Sequence, residues 1–235
     1  MTDKKLVIAN WKMNGDASMC LDFSGTFSGF KRDGTDVVIS PPSLHATFLS
    51  DLLVKTKADN VCVAGQNCHY KDFGSYTGEI SAKMLANAGC KYVILGHSER
   101  RKLFSETNND VLLKSQSALD AGLIPIVCVG ETDYSKRIEQ IKHQCQNSLP
   151  STSKKIVIAY EPVYSIGTGV VPTNSDIEDA VKIIKDLNKN VSVVYGGSVN
   201  NANCNQIMQA KGLDGVLVGG ASLKIKDFFE LCCSI

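Results

Sequence analysis

Short apolar runs rich in β-branched residues recur along the whole chain, at Leu6–Ala9, Val37–Ser40, Val61–Ala64, Tyr92–Leu95, Ile124–Val129, Ile156–Tyr160, Val191–Tyr195 and Gly215–Val218. Their starts lie about 30 residues apart, the length of a strand and a returning helix. The stretches between them carry helical spacing, as in Phe23, Phe27 and Phe30 in the first interval and Ile138, Ile141 and Cys145 in the fifth. Gly89, Gly122 and Gly212 each stand just before a run, where a left-handed residue ends a helix and turns the chain back. Pro41-Pro42-Ser43 predicts the start of the second helix, and Ser175-Asp176-Ile177-Glu178 has a capping-box pattern at the start of the sixth. Eight strand–helix units with no linker-like segment predict an α/β fold in one domain over residues 1–235. A closed (β/α)8 barrel is favoured over an open, doubly wound eight-stranded sheet.

Composition narrows the partner. A formal charge of +1, from 25 basic and 24 acidic residues with no block of one sign, favours neither nucleic acid nor an anionic membrane, and points to a small molecule. No apolar run approaches the roughly 20 residues that span a bilayer, and Met1-Thr2-Asp3-Lys4-Lys5 leads into a strand-length run rather than a signal peptide. A cytoplasmic protein is expected. None of the nine cysteines forms a Cys-x-x-Cys pair; Cys62, Cys90 and Cys128 lie in or beside apolar runs and read as reduced core residues. Of the adjacent Cys232 and Cys233, one is expected to face outward.

In a barrel, the residues that follow each strand face the active site. Here they are polar: Asn10-Trp11-Lys12-Met13-Asn14, Gln66-Asn67, Gly96-His97-Ser98-Glu99, Glu161, Tyr195-Gly196-Gly197-Ser198 and Gly219-Gly220-Ala221-Ser222. Pro162 stops the ladder after Glu161, and Gly167 and Gly169 follow before the next helix. A stiff start and a glycine-rich end describe a hinged lid, although an ordinary strand-to-helix loop has the same spacing. The glycine pairs 196–197 and 219–220 can form a main-chain phosphate cradle. His45, His69 and His143 read as structural; His97 stands apart because Ser98-Glu99-Arg100-Arg101 predicts a short helix whose N-terminus keeps the imidazole neutral. A carboxylate, a neutral imidazole and a lysine, with neither metal cluster nor dinucleotide fingerprint, suit proton abstraction next to a carbonyl without a cofactor. Glu161 takes the proton, His97 hydrogen-bonds the oxygen that gains charge, and Lys12 adds a fixed positive charge.

These motifs closely resemble the triosephosphate isomerase family. The match runs through Asn10-Trp11-Lys12-Met13-Asn14, Gly96-His97-Ser98-Glu99-Arg100-Arg101, Ala159-Tyr160-Glu161-Pro162-Val163, Ile166-Gly167-Thr168-Gly169, Tyr195-Gly196-Gly197-Ser198-Val199 and Gly219-Gly220-Ala221-Ser222-Leu223, in the family's order. The resemblance implies interconversion of dihydroxyacetone phosphate and glyceraldehyde 3-phosphate through an enediolate, the family being a familiar case of a glutamate base beside a neutral histidine. It implies Glu161 as base, His97 as electrophile, Lys12 and Asn10 as substrate ligands, and phosphate on the amides of Gly167, Ser198, Gly219 and Gly220. It further implies that Glu99 orients Lys12 and that the 162–172 loop closes to exclude water. A homodimer is implied as well, with Thr77 of Gly74-Ser75-Tyr76-Thr77-Gly78-Glu79 reaching the neighbour's site beside Asn10 and Lys12. Two readings compete: another phosphate-binding barrel, such as a sugar-phosphate epimerase or Amadori-type isomerase, and a catalytically idle barrel acting as an interaction protein.

The chain departs from the family at both lid hinges. Tyr164-Ser165 replaces the usual Trp-Ala, and Val170-Val171-Pro172 replaces Lys-Thr-Ala. The chain is also shorter than the roughly 250 residues typical of the fold, and 148–153 is a terse link that suggests a trimmed fifth helix. Pro172 has no N–H, so Tyr195 cannot make the lid-closing bond that many members make at that position. Closure is therefore expected to lean on Ser198 and on other contacts of Tyr195. Tyr195→Phe should slow turnover less than the loss of a lid latch, and a latch-sized loss in steady-state kinetics would refute this.

Overall fold

A computed structural model describes residues 4–235, which leaves the expectation for Met1-Thr2-Asp3 outside the described residues. Eight parallel strands close into a barrel in sequence order: β1 Lys5–Asn10, β2 Thr35–Ser40, β3 Val61–Gly65, β4 Cys90–Leu95, β5 Ile124–Val129, β6 Ile156–Tyr160, β7 Val191–Tyr195 and β8 Gly215–Val218. β8 pairs back onto β1 from Leu6↔Gly215 to Ala9↔Val218, which removes both sheet edges and excludes the open sheet. The returning helices are α1 Ala17–Thr26, α2 Ala46–Lys55, α3 Ala82–Asn87, α4 Ser98–Phe104, α5 Asn108–Asp120, α6 Arg137–Ser148, α7 Asn174–Leu187, α8 Cys204–Ile207 and α9 Ile225–Ser234.

Strands covered on both faces need apolar residues at every position, which is why they appear in the sequence as unbroken runs. Alternate residues go to different cores. Leu6, Ile8, Val38, Tyr92, Ile94, Val157, Ala159 and Leu217 fill the barrel interior, while Val7, Ala9, Val37, Val93, Ile158 and Val218 pack against the helices. One further step of the same alternation brings Asn10, Gln66, Glu161, Gly196 and Gly219 to the carboxyl end of the barrel. The pleat that builds the core therefore also carries the polar residues to its mouth.

Gly89, Gly122 and Gly212 have φ of +84°, +81° and +84°, the left-handed turns expected before β4, β5 and β8. Other expectations need correction. α1 ends at Thr26, so Phe27 caps it and Phe30 lies beyond, yet both rings are buried against Phe229 of α9. Ile138 faces solvent while Ile141 and Cys145 are buried, because α6 shows the barrel a narrower stripe than its sequence suggests. α6, the fifth returning helix of the sequence reading, spans 12 residues and runs through Ser148, so the link to β6 is 149–155 and not 148–153. The second helix is preceded by a 3₁₀ turn, Ser43–His45. Cys232 is buried and Cys233 exposed, and all nine thiols are free.

The capping box of α7 lies two residues upstream of the predicted one. Thr173 Oγ1 accepts from Asp176 N, and the Asp176 carboxylate accepts from Thr173 N. Glu178, the acidic partner in the predicted pattern, instead accepts from Lys211 N at 2.9 Å. Bonds from Tyr134 Oη first, then Thr173 and Arg137, hold the Asp176 carboxyl at about 2, against the opposing effect of burial. Its folded pKa lies below the ordinary 3.8. Its stabilisation is therefore complete above about pH 4 and is lost as pH falls towards 2. Asp176→Asn should lower stability at pH 7 by about 1–2 kcal/mol, with the gap closing between pH 4 and 2 in urea titrations. An unchanged gap at pH 2 would contradict the assignment.

Candidate active site

At the end of β4, Gly96 turns with φ +66°, and His97 follows as the N-cap of α4. A Cβ on Gly96 would lie 2.7 Å from Val111 Cγ2 and 2.9 Å from Arg101 Nη2, so both the turn and the packing select glycine. His97 Nδ1 accepts from Glu99 N at 3.3 Å. A nitrogen that accepts carries no proton, so this bond assigns the ring N–H to Nε2. Nε2 faces Glu161 Oε1 at 3.4 Å.

Glu161 continues β6, with its N–H bonded to Val129 O at 2.8 Å, and the residue is 2% exposed. Its other carboxylate oxygen, Oε2, accepts from Ser98 N at 3.3 Å. The β5 end beside it has no room for a side chain, because a Cβ on Gly130 would sit 1.8 Å from the Glu161 carbonyl oxygen. Gln144 of α6 clamps Gly130 through both its N–H and its C=O, each at 2.8 Å. Burial, and next the neighbouring Glu161 charge, push the Cys128 thiol well up, which keeps it a packed thiol rather than a nucleophile.

Lys12 has a left-handed backbone, φ +53°, a conformation costly for any residue but glycine. Two side chains hold it there. Asn10 Oδ1 accepts its N–H at 3.0 Å, and Gln66 Nε2 donates to its C=O at 2.8 Å. The Lys12 ammonium meets Glu99 Oε1 at 2.6 Å. Glu99 thus joins the lysine through its side chain and the histidine through its backbone.

These groups surround a cleft of about 330 Å³ lined by Lys12, His97, Glu161, Gly167, Ser198, Gly219 and Gly220. Among the described residues, none of the amides of Gly167, Ser198, Gly219 and Gly220 donates to a protein acceptor, so they remain available to an anion. The two members of the glycine pair 196–197 differ. Gly196 N is taken by Tyr160 O at 2.8 Å, and a Cβ there would lie 3.1 Å from Glu161 Cγ. Gly196 therefore makes room for Glu161, while the amide of Gly197 donates to no protein acceptor among the described residues and lines the same cleft.

The 162–172 loop is tied to β7 by one hydroxyl. Ser198 Oγ donates to Ser165 O at 2.5 Å and accepts from Gly169 N at 3.1 Å. Tyr195 is fully buried beneath the loop. Thr77 is not brought to Lys12; it is exposed in a separate surface groove with Tyr76, Arg100 and Glu106.

Sequence reading missed the residues that brace the site. Arg101 donates to Gly96 O at 2.8 Å, Cys128 O at 3.3 Å and Asn108 Oδ1 at 2.7 Å, which locks the His97 turn to β5 and α5. Burial lowers the pKa of this guanidinium. Its position in the Gly-His-Ser-Glu-Arg-Arg motif was its only signal. Gln66 was visible as a polar strand end, but its grip on Lys12 was not.

Fold and cleft together define a class: a (β/α)8-barrel enzyme with acid–base groups at the carboxyl end of its strands. The family model described as Triosephosphate isomerase matches residues 5–235. A triosephosphate isomerase of Wolbachia pipientis wMel is 43% identical over 231 residues, covering 96% of this chain and 92% of that protein. One from Ehrlichia chaffeensis is 42% identical, covering 96% and 95%. The crystal structure of triosephosphate isomerase from Bartonella henselae superposes with a TM-score of 0.86 at 35% identity, covering 97% of this chain and 98% of that one. The chain belongs to the triosephosphate isomerase family and is an isomerase.

Gly196→Ala tests the room that Glu161 needs. Pushing the carboxylate by a few tenths of an ångström should cost on the order of 10-fold in kcat/KM, with an unchanged thermal melt. Full activity in this variant would show that the close approach is unimportant.

Proposed function

We propose that this chain interconverts dihydroxyacetone phosphate and D-glyceraldehyde 3-phosphate by proton transfer through an enediolate. The carrying observation is the buried carboxylate of Glu161 facing His97 Nε2–H at 3.4 Å in a cleft with four open amides. Membership of the family supplies the substrate. The phosphate rests on the amides of Gly167, Ser198, Gly219 and Gly220, and Lys12 and Asn10 hold the carbonyl end.

Glu161 removes a proton from the carbon next to the carbonyl, and the electron pair moves onto the oxygen to give the enediolate. His97 Nε2–H donates to that oxygen, and the Lys12 charge lies beside it. His97 Nε2 gives its proton to that oxygen and takes one from the hydroxyl on the adjacent carbon, while Glu161 returns its proton to the carbon that carried the carbonyl, so both protons are accounted for and no redox partner is required. Seating of the 162–172 loop excludes water and holds back loss of phosphate from the intermediate.

We further read the chain as a cytoplasmic protein that works as a pair of identical copies, with Thr77 completing the neighbour's site. Thr77 is exposed and away from its own Lys12, and Met13, next to Lys12, and Phe73 stand 95% and 86% exposed. Side chains so placed suit burial against a second copy.

A coupled assay for glyceraldehyde 3-phosphate tests the reading. Glu161→Gln should lower kcat by on the order of 10³, while inorganic phosphate still binds. His97→Gln should cost on the order of 10²–10³. No triose phosphate turnover by the native protein would favour a different phosphate-binding barrel or an idle one.

A further inference from the structure

Among the described residues, seven buried side-chain polar atoms make no hydrogen bond, and three of them, Glu131 Oε2, Ser165 Oγ and Tyr195 Oη, meet at the root of the 162–172 loop. Ser165 ends the 3₁₀ turn Val163–Ser165 and is fully buried. Tyr195 ends β7 and is fully buried. Glu131 follows β5; its carbonyl accepts from Val163 N at 2.9 Å, and its Oε1 accepts from Tyr160 Oη at 3.0 Å. Neither hydroxyl makes a well-aligned hydrogen bond, although each lies within reach of the other, and native interiors rarely leave such groups poorly paired.

The two hydroxyls sit close together. A Cβ on Gly197 would lie 2.5 Å from Tyr195 Oη and 3.1 Å from Ser165 Cβ, so both side chains converge over that glycine. The Ser165 main chain is already fixed, since its carbonyl accepts from Ser198 Oγ. Its hydroxyl keeps one free rotor, and a small settling of the turn is enough to align the pair. Burial pushes the Tyr195 phenol well up, so it stays protonated and able to donate. Pro172, at the far end of the loop, has no N–H to offer it.

We propose that Ser165 is a positioning residue of the lid, its hydroxyl pairing with that of Tyr195 when the loop seats on a phosphorylated ligand. The pair is within reach but poorly aligned in the ligand-free chain and aligned in the seated one, so it biases the loop towards closure by the strength that alignment adds. This inference rests on the reading of 162–172 as a substrate-covering lid.

The test is a double-mutant cycle of Ser165→Ala, Tyr195→Phe and both together. The probe is 2-phosphoglycolate, whose carboxylate imitates the enediolate charge. Each single variant should bind it about 3- to 10-fold more weakly, the range for one neutral hydrogen bond. The double variant should be no weaker than the weaker single. Each single variant should also release more inorganic phosphate per turnover from triose phosphate, a readout that simple loosening of the fold leaves unchanged, and thermal melts serve as the check on folding. Losses that multiply in the double variant, or native affinity in Ser165→Ala, would overturn the proposal while leaving isomerase activity intact. Failure of the native protein to turn over triose phosphates would instead overturn the lid reading beneath it.

Discussion

Glu161 is 2% exposed and so desolvated, with one long hydrogen bond, from Ser98 N at 3.3 Å, and His97 Nε2 facing it at 3.4 Å. Neither is a salt bridge to a fixed cation. The group is thus desolvated but lightly held, as a base that must accept a proton and give it back requires. Long bonds of this kind tighten in the presence of substrate. Most other features of the carboxyl face keep this pair in register. Gly130 and Gly196 clear space around Glu161, Arg101 pins the His97 turn, and Glu99 joins that turn to Lys12.

Several of these devices run against local preference. Lys12 and Ser198 both adopt left-handed backbones, at φ +53° and +47°, on either side of the cleft. Such strain persists only where neighbours over-determine it. Asn10 and Gln66 do so for Lys12, and the bonds of Ser198 to Ser165 and Gly169 of the lid accompany it on the other side. The closed ladder supplies the rigidity, since each strand end is fixed by two neighbours.

Strand positions were plain in the sequence because burial on both faces leaves no polar residue to blur a run. Helix boundaries were less so. The Ser175 pattern and the true Thr173 box have the same spacing, and only the contact of Glu178 with Lys211 separates them. Strand-end chemistry was readable for Glu161, His97 and Lys12, whose types are rare at such positions without a task. Arg101, Gln144 and Gln66 were hidden because their partners are mostly main-chain carbonyls and amides distant in sequence, which no local pattern encodes. Gly196 was ambiguous for a related reason: glycine gives up its side chain equally for an anion and for a neighbouring glutamate.

The most direct measurement is a crystal structure of the chain with 2-phosphoglycolate bound. The account predicts the phosphate on the amides of Gly167, Ser198, Gly219 and Gly220, with the carboxylate between His97 Nε2, Lys12 Nζ and Glu161. A phosphate bound elsewhere on the barrel, or a carboxylate out of reach of both His97 and Glu161, would contradict it.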